Sequence, residues 1–330
     1  MFVIGIPTLN EADNISRLVK QIDEYAVNLG KEIIIINSDS KSTDGTPQIF
    51  LETKTYNTKV SIVSEAKGKG YNVRNIFEYA INHVPNFSGL ILIDGDVVSM
   101  KKMWLGKMFI AIESGNDLII PNYARKSFEG NATNHFIYPM LVKFFKSDMP
   151  YQCISGDFGF SRGLIKDLTL KCNWHKYTLG YGIDIFLTLT AILKSYKIKE
   201  IDLQSKIHKK SFGKIEKIFL EVSQSFFETI NDNSLNQDKL RLNINFERGL
   251  NAIIGARGTG KTSIIELIRY CLGIDSTSKE LDNGGTIIQA TGIATGITVG
   301  QGNYGAGADG CPVKTVWSFK QFLTCKILAC

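Results

Sequence analysis

The sequence predicts an α/β chain wound as a doubly wound sheet, on three observations. Apolar strand-like runs alternate with segments of helical spacing from residue 2 to residue 121. The run at 33–36 is made only of β-branched residues, as expected of a parallel strand covered on both faces. Several runs open into polar loops rich in Asp, Asn, Lys and Gly, and in such sheets ligands sit beyond the carboxyl ends of the strands.

The elements follow in order. Residues 2–6 form a first strand, stopped by Pro7. Residues 13–29 place Ile15, Leu18, Val19, Ile22 and Val27 at helical intervals, and 33–36 is the second strand. The alternation continues through 59–63 (strand), 72–84 (helix), 89–93 (strand), 104–114 (helix) and 117–121 (strand). Strand–helix–strand repetition of this kind winds through right-handed crossovers. Residues 213–230 make a last amphipathic helix, with Ile215, Ile218, Phe219, Val222, Phe226 and Ile230 on one stripe. The polar, turn-rich stretch after it reads as a linker. The expected organisation is a first domain over 1–231, a linker over 232–239, a second strand–loop–helix segment over 240–280, and a Gly-rich tail of unclear structure over 281–330.

Size and charge narrow the function. A chain of 330 residues suggests about two domains, each able to bury a core. The 38 basic residues against 32 acidic ones leave a formal charge of +6, spread without any block of five basic residues. Nucleic acid is therefore not an expected partner of 1–231, whereas a local phosphate pocket is compatible. No apolar run approaches the roughly 20 residues of a membrane span, and residues 1–7 lead straight into strand-like sequence with no leader pattern. Six cysteines without a CxxC pair make neither a disulfide framework nor a zinc signature. A cytoplasmic protein acting on small molecules is the expectation, with homodimerisation left open.

The strongest chemical signal in the first domain is Asp94-Gly95-Asp96 at the end of the apolar run Ile91-Leu92-Ile93. Two carboxylates two residues apart can reach one hard cation, and that cation can neutralise a departing diphosphate. The loops after the earlier strands belong to the same sheet edge. They are Pro7-Thr8-Leu9-Asn10-Glu11, Asp39 with Ser42-Thr43-Asp44-Gly45-Thr46, and Lys67-Gly68-Lys69-Gly70, the last read as a loop approaching a pyrophosphate.

In their order along the chain, these pieces resemble a GT-A (Rossmann-like) glycosyltransferase of the family 2 type. The likeness is to its glucosyl-3-phosphoglycerate synthase and mannosylglycerate synthase branch, and it spans residues 1–230. Tyr123-Ala124-Arg125, Gly130-Asn131-Ala132-Thr133, Ser155-Gly156-Asp157-Phe158 and Tyr181-Gly182-Ile183-Asp184 extend it. The resemblance implies a mixed sheet and an NDP-sugar donor of the UDP-glucose or GDP-mannose type. It also implies Mg²⁺ or Mn²⁺, a glycerate-like acceptor and retention at the anomeric carbon. It places the donor on Pro7, Thr8, Asn10, Glu11, Asp39, Lys67, Lys69 and Asp94, the metal on Asp96 and His208, and the acceptor on Arg125, Thr133 and Gly156. Asp94, Asp96, Asp157 and Asp184 become the catalytic candidates. Asp157 and Ser155 stand where the family has Glu and Gly, which leaves the acceptor open. The absence of a Gln-x-x-Arg-Trp motif argues against processive polysaccharide synthases.

The second segment carries a complete G-x-x-x-x-G-K-[ST] loop, Gly255 through Gly258 and Gly260 to Lys261 and Thr262. Its backbone N–H groups, Lys261 and Thr262 suit the phosphates and Mg²⁺ of ATP. Residues 240–273 resemble the opening of an SMC/RecF-type AAA ATPase. No apolar strand ending in paired acidic residues follows Ile274, so hydrolysis is not expected. The leading expectation is sugar transfer. The rivals are an ATP-binding protein of the SMC/RecF type and a nucleotide-binding module with degenerate sites.

Overall fold

The computed structural model describes residues 1–125, 130, 132–145, 149–207 and 215–233, with the backbone of short strands beyond residue 243. The chain divides into two compact units, Met1–Tyr138 with Asp148–Leu235, and Pro139–Ser147 with Asn236–Cys330.

The first unit is built on a seven-stranded mixed sheet. Its strands are β1 (Phe2–Thr8), β2 (Ile33–Asp39), β3 (Thr58–Val63), β4 (Gly89–Leu92), β5 (Leu118–Tyr123), β6 (Phe158–Ser161) and β7 (Ile198–Gln204). They lie in the order β3-β2-β1-β4-β6-β5-β7. β1, β2, β3 and β4 run parallel, β5 and β7 run parallel to each other, and β6 runs antiparallel to both β4 and β5. The reversal at β6 matters for function. Because Leu92 pairs with Phe158, the start of β6 lies at the end of β4, and Asp157 arrives beside Asp94.

Helices cover both faces. On one, Ile15, Leu18, Val19 and Ile22 of α1 (Ile15–Asn28) join Trp104, Leu105, Met108 and Phe109 of α4 (Lys102–Glu113) over Ile4, Ile6 and Ile35. On the other, Val73, Ile76 and Phe77 of α3 (Lys69–His83) pack with α6 (Arg162–Lys171) and α7 (Ile183–Leu193) over Val3, Leu90 and Phe160. Each such side chain contributes about 1.5–3 kcal/mol by leaving water, so two continuous clusters account for the double winding. Helices α2 (Thr46–Glu52) and α8 (Ile215–Asn233) complete the unit.

Several elements differ from the expectation. Helix α8 continues to Asn233, so the stretch read as linker from 232 begins inside a helix. Helix α3 starts at Lys69, three residues earlier than the periodicity predicts. Elements α2, α5 (Tyr138–Phe145), β6, α6, α7 and β7 have no counterpart among the elements expected from the sequence.

The second unit holds most of α5 (Tyr138–Phe145) and three small sheets. Ser278–Glu280 pairs antiparallel with Thr286–Ile288, and Ile293–Ala294 with Ile297–Thr298; Val313–Ser318, Thr324–Ala329 and Ile244–Asn245 form the third. The phosphate-binding loop Gly255, Gly258, Gly260, Lys261 and Thr262 lies outside the described residues, as does His208. No helix among the described residues is long and apolar enough to cross a membrane.

Candidate active site

One edge of the first unit's sheet gathers most of the residues singled out above. The loop after β1 is bound to the loop after β2. Thr8 donates its hydroxyl to Asp39 (2.7 Å), Asn10 N–H donates to Ser42 Oγ (2.7 Å), and Thr43 N–H donates to Asn10 Oδ1 (2.9 Å). Glu11 N–H donates to Thr46 Oγ1 (2.8 Å) and Ala12 N–H to Asp44 (3.0 Å). Asp39 is wholly buried, and its carboxylate also accepts the N–H and hydroxyl of Ser42. Its three internal donors brace the two loops on one carboxylate.

The Asp94-Gly95-Asp96 turn is fixed from the same side. Gly95 N–H donates to Pro7 O (3.3 Å), and a Cβ at Gly95 would stand 2.8 Å from Thr8 Cγ2 and 2.9 Å from Pro7 O. Glycine is thus demanded by the end of β1. The first turn of α1 holds the other flank: Asn14 donates to Gly95 O and Val97 O, and Arg17 to Val97 O and Val98 O. Neither Asn14 nor Arg17 stood out in the sequence, because a polar residue at a helix start reads as an ordinary cap.

Lys69 reaches the turn from the start of α3. Its Nζ lies 2.8 Å from Asp94 Oδ1, 3.0 Å from Asp184 Oδ1 and 3.4 Å from Gly156 O. Burial opposes its charge, but Asp184 and Asp94 outweigh burial and hold the ammonium above the ordinary lysine value. Burial raises the Asp184 carboxyl, against the pull of Lys69 and with the push of Asp94. The Lys67-Gly68-Lys69-Gly70 segment departs from its expected form. Gly70 and Tyr71 donate their N–H groups to Gly180 O (3.0 Å) and Leu179 O (3.1 Å), and a Cβ at Gly70 would fall on Thr178 O. These glycines let the helix start dock on the 178–180 loop, which takes up the otherwise orphan N–H groups of Gly70 and Tyr71. Lys67 is exposed.

Beneath Asp94 lies Asp157, fully buried. It accepts Asp94 N–H at 2.8 Å, the Tyr123 hydroxyl at 2.6 Å and the Lys206 ammonium at 2.7 Å. Lys206 also stands 3.6 Å from Asp94 Oδ2. Burial and Asp157 push the Tyr123 phenol well above its usual range, so it stays a hydrogen-bond donor. Tyr123 belonged to a quoted motif without a role, and Lys206 was not singled out at all. Gly156, expected on the acceptor side, has φ +84°, and a Cβ there would collide with Asp94 Oδ2, so it packs directly against that carboxylate.

Arg125 lies beyond β5. It donates to Ile154 O (2.7 Å) and to Thr133 Oγ1 (3.4 Å), so the guanidinium and the buried Thr133 meet.

In charge, the carboxylates of Asp94, Asp96, Asp157 and Asp184 outnumber the ammonium groups of Lys69 and Lys206 by two. A single divalent cation, hard and oxygen-seeking, matches both that deficit and the donor type. No group of three or more His, Cys, Asp and Glu suited to a metal is assembled among the described residues. A cation here would therefore need ligands from its substrate or from beyond the described residues.

One edge of an α/β sheet thus carries an Asp-Gly-Asp turn with a paired lysine. The chain belongs to glycosyl transferase family 2, whose model matches residues 3–171. An AAA domain model matches residues 230–303. No curated protein matches the chain. Among solved structures, it is similar to glucosyl-3-phosphoglycerate synthase from Mycobacterium tuberculosis. The complex of that enzyme with Mn²⁺, UDP-glucose and phosphoglyceric acid is 18% identical, covers 69% of this chain and 79% of its own, and has a TM-score of 0.55. Its complex with Mg²⁺ and UDP is 19% identical, with the same coverage and a TM-score of 0.55. The complex with Mn²⁺, UDP and glucosyl-3-phosphoglycerate is 19% identical, again over 69% and 79%, at a TM-score of 0.53. These likenesses establish the fold.

Proposed function

We propose that the first unit transfers a hexose from an NDP-sugar to a small anionic acceptor of the glycerate or phosphoglycerate kind, with a divalent cation and with retention at the anomeric carbon. The carrying observation is the convergence of Asp94, Lys69 and Asp184 within ion-pair distance at the sheet edge where Asp96 also sits. The similar synthase has been crystallised with Mn²⁺ or Mg²⁺, UDP-glucose and phosphoglyceric acid, which supports the donor and acceptor classes.

Asp96 and His208 would hold Mg²⁺ or Mn²⁺ together with the donor's phosphate oxygens. The ion, when bound, supplies positive charge to the leaving diphosphate. The chain's own groups do the rest. Lys69, fixed by two carboxylates, offers a second positive charge at the same place. Asp94 and Asp184, held by Lys69, face the hexose as hydrogen-bond acceptors. The braced loops after β1 and β2 form the floor for the nucleoside, and Asp39 keeps that floor rigid. Arg125 and Thr133 take the acceptor's carboxylate or phosphate, for which a guanidinium fork is suited.

A screen of NDP-sugars with Mn²⁺ and a glycerate and phosphoglycerate panel tests this reading, and the anomeric coupling constant of the product tests retention. Arg125→Lys tests the acceptor side: the acceptor KM rises about tenfold or more while the donor KM moves less than twofold. An equal rise in both would assign Arg125 to the donor or to the fold.

The AAA match and the complete P-loop sequence favour a separate reading for the second unit, as a segment that binds the phosphates of ATP at Lys261 and Thr262. Equilibrium binding of ATP to the full chain, compared with Lys261→Ala, tests it.

A further inference from the structure

The feature that sugar transfer leaves unexplained is the buried lysine beside the Asp-Gly-Asp turn. Lys206 is only 8% exposed, yet nothing in the local sequence marks it out. The backbone puts it there by a specific device. Between β5 and β7 the pairing slips: Asn122 faces Asp202 and Tyr123 faces Gln204, which leaves Leu203 as an extra residue. Gln204 then adopts φ +65°, a left-handed conformation that a glutamine rarely takes. Bulges of this kind re-aim the side chains that follow them. The turned segment is then tied to the strand-end loop that carries Asp96. Val98 N–H donates to Ile207 O (2.9 Å), and Ile207 N–H donates to Ser99 Oγ (2.8 Å).

The ammonium so delivered is fully engaged. It meets Asp157 Oδ2 at 2.7 Å and Asp94 Oδ2 at 3.6 Å, and it lies 5.2 Å above the Tyr123 ring. Asp94 is thereby shared between two ammonium groups, Lys69 on Oδ1 and Lys206 on Oδ2. Asp157 is closed by Lys206, the Tyr123 hydroxyl and the Asp94 N–H.

We propose that Lys206 is a positioning residue of this site: it ties Asp94 and Asp157 to one ammonium and offsets part of the charge of the Asp94, Asp96 and Asp157 group, so that a divalent cation bound there is held where the donor's diphosphate needs it. This rests on the reading of the site as a metal-dependent sugar-nucleotide site. Without the lysine, Asp94, Asp96 and Asp157 become one dense carboxylate cluster. Such a cluster attracts a bare cation more strongly but holds it in the wrong place for the donor's diphosphate.

The two effects have opposite signs, which separates positioning from a merely structural role. The test measures binding of Mn²⁺ alone to the full chain by calorimetry, with sugar transfer from UDP-glucose followed in parallel. Lys206→Gln keeps an N–H donor for Asp157 while removing the charge, and Lys206→Arg keeps the charge. For Lys206→Gln the expected result is Mn²⁺ binding about tenfold tighter, from loss of a nearby like charge, with kcat at least tenfold lower and the acceptor KM unchanged. Lys206→Arg returns Mn²⁺ affinity to within about threefold of the original. Unchanged or weaker Mn²⁺ binding in Lys206→Gln overturns the proposal, and so does tighter binding with undiminished kcat. If the unaltered protein transfers no sugar from any donor, the functional reading fails separately, and Mn²⁺ affinity alone decides the charge-directing role of Lys206.

Discussion

Replacing Asp96 with alanine is expected to lower sugar transfer by about 10²-fold or more, the scale for losing a group that stabilises charge developing in a transition state. The protein should remain folded. Gly95 and the backbone around it are held by Pro7, Asn14 and Arg17 through bonds to backbone atoms of Gly95 and Val97. The Mn²⁺ dependence of NDP-sugar binding should disappear in the same variant, as read by calorimetry with and without the ion. A variant whose metal-dependent donor affinity is unchanged would remove Asp96 from the cation and leave the Asp-Gly-Asp turn a structural feature.

The second large effect is expected in stability. Asp157→Ala removes the partner of a buried lysine, the acceptor of a buried tyrosine and the acceptor of the Asp94 N–H in one step. Leaving a buried charge without its partner costs about 3–5 kcal/mol. Lys206 retains Asp94 at 3.6 Å, so the lower end of that range applies. Chemical denaturation should show the loss as a lower midpoint, and activity should fall with it because Asp94 is no longer braced. Lys206→Met combined with Asp157→Leu, which removes both charges, should recover much of the stability but not the activity, since well-packed apolar pairs commonly replace buried ion pairs without loss. A single variant as stable as the parent would mean that water enters and solvates Lys206.

What could be read from the sequence follows from where local patterning is informative. The apolar runs at 2–6, 33–36 and 89–93 mark β1, β2 and β4 without a structure, although β1 continues through Pro7 to Thr8 and β2 through Asn37 to Asp39, so Thr8, Asp39 and Asp94 could be placed near the strand ends. Strand β6 has four residues, two of them the phenylalanines Phe158 and Phe160, and its antiparallel insertion between β4 and β5 leaves no periodic trace. That insertion carries Asp157 to Asp94, so the motif could be matched by likeness while its contacts could not. Lys206 lay further out of reach, because its position depends on a bulge at Leu203 and a left-handed Gln204. The glycines of the 67–70 segment could be seen, but not their close contact with the 178–180 loop. Two glycines flanking a lysine suit a phosphate and a close helix contact equally well, and the contact shows only in the carbonyls of Thr178, Leu179 and Gly180.

Sugar transfer at this edge of the sheet is tested by incubating the 330-residue chain with Mn²⁺, a panel of NDP-sugars and glycerate or 3-phosphoglycerate, and following both the released nucleoside diphosphate and the glycosylated acceptor by mass spectrometry. One NDP-hexose is expected to yield both products in equal amounts, with no product when the ion is chelated or Asp96 is replaced by alanine. A full panel without a glycosylated product, from protein shown to bind Mn²⁺ and nucleoside diphosphate, would contradict it.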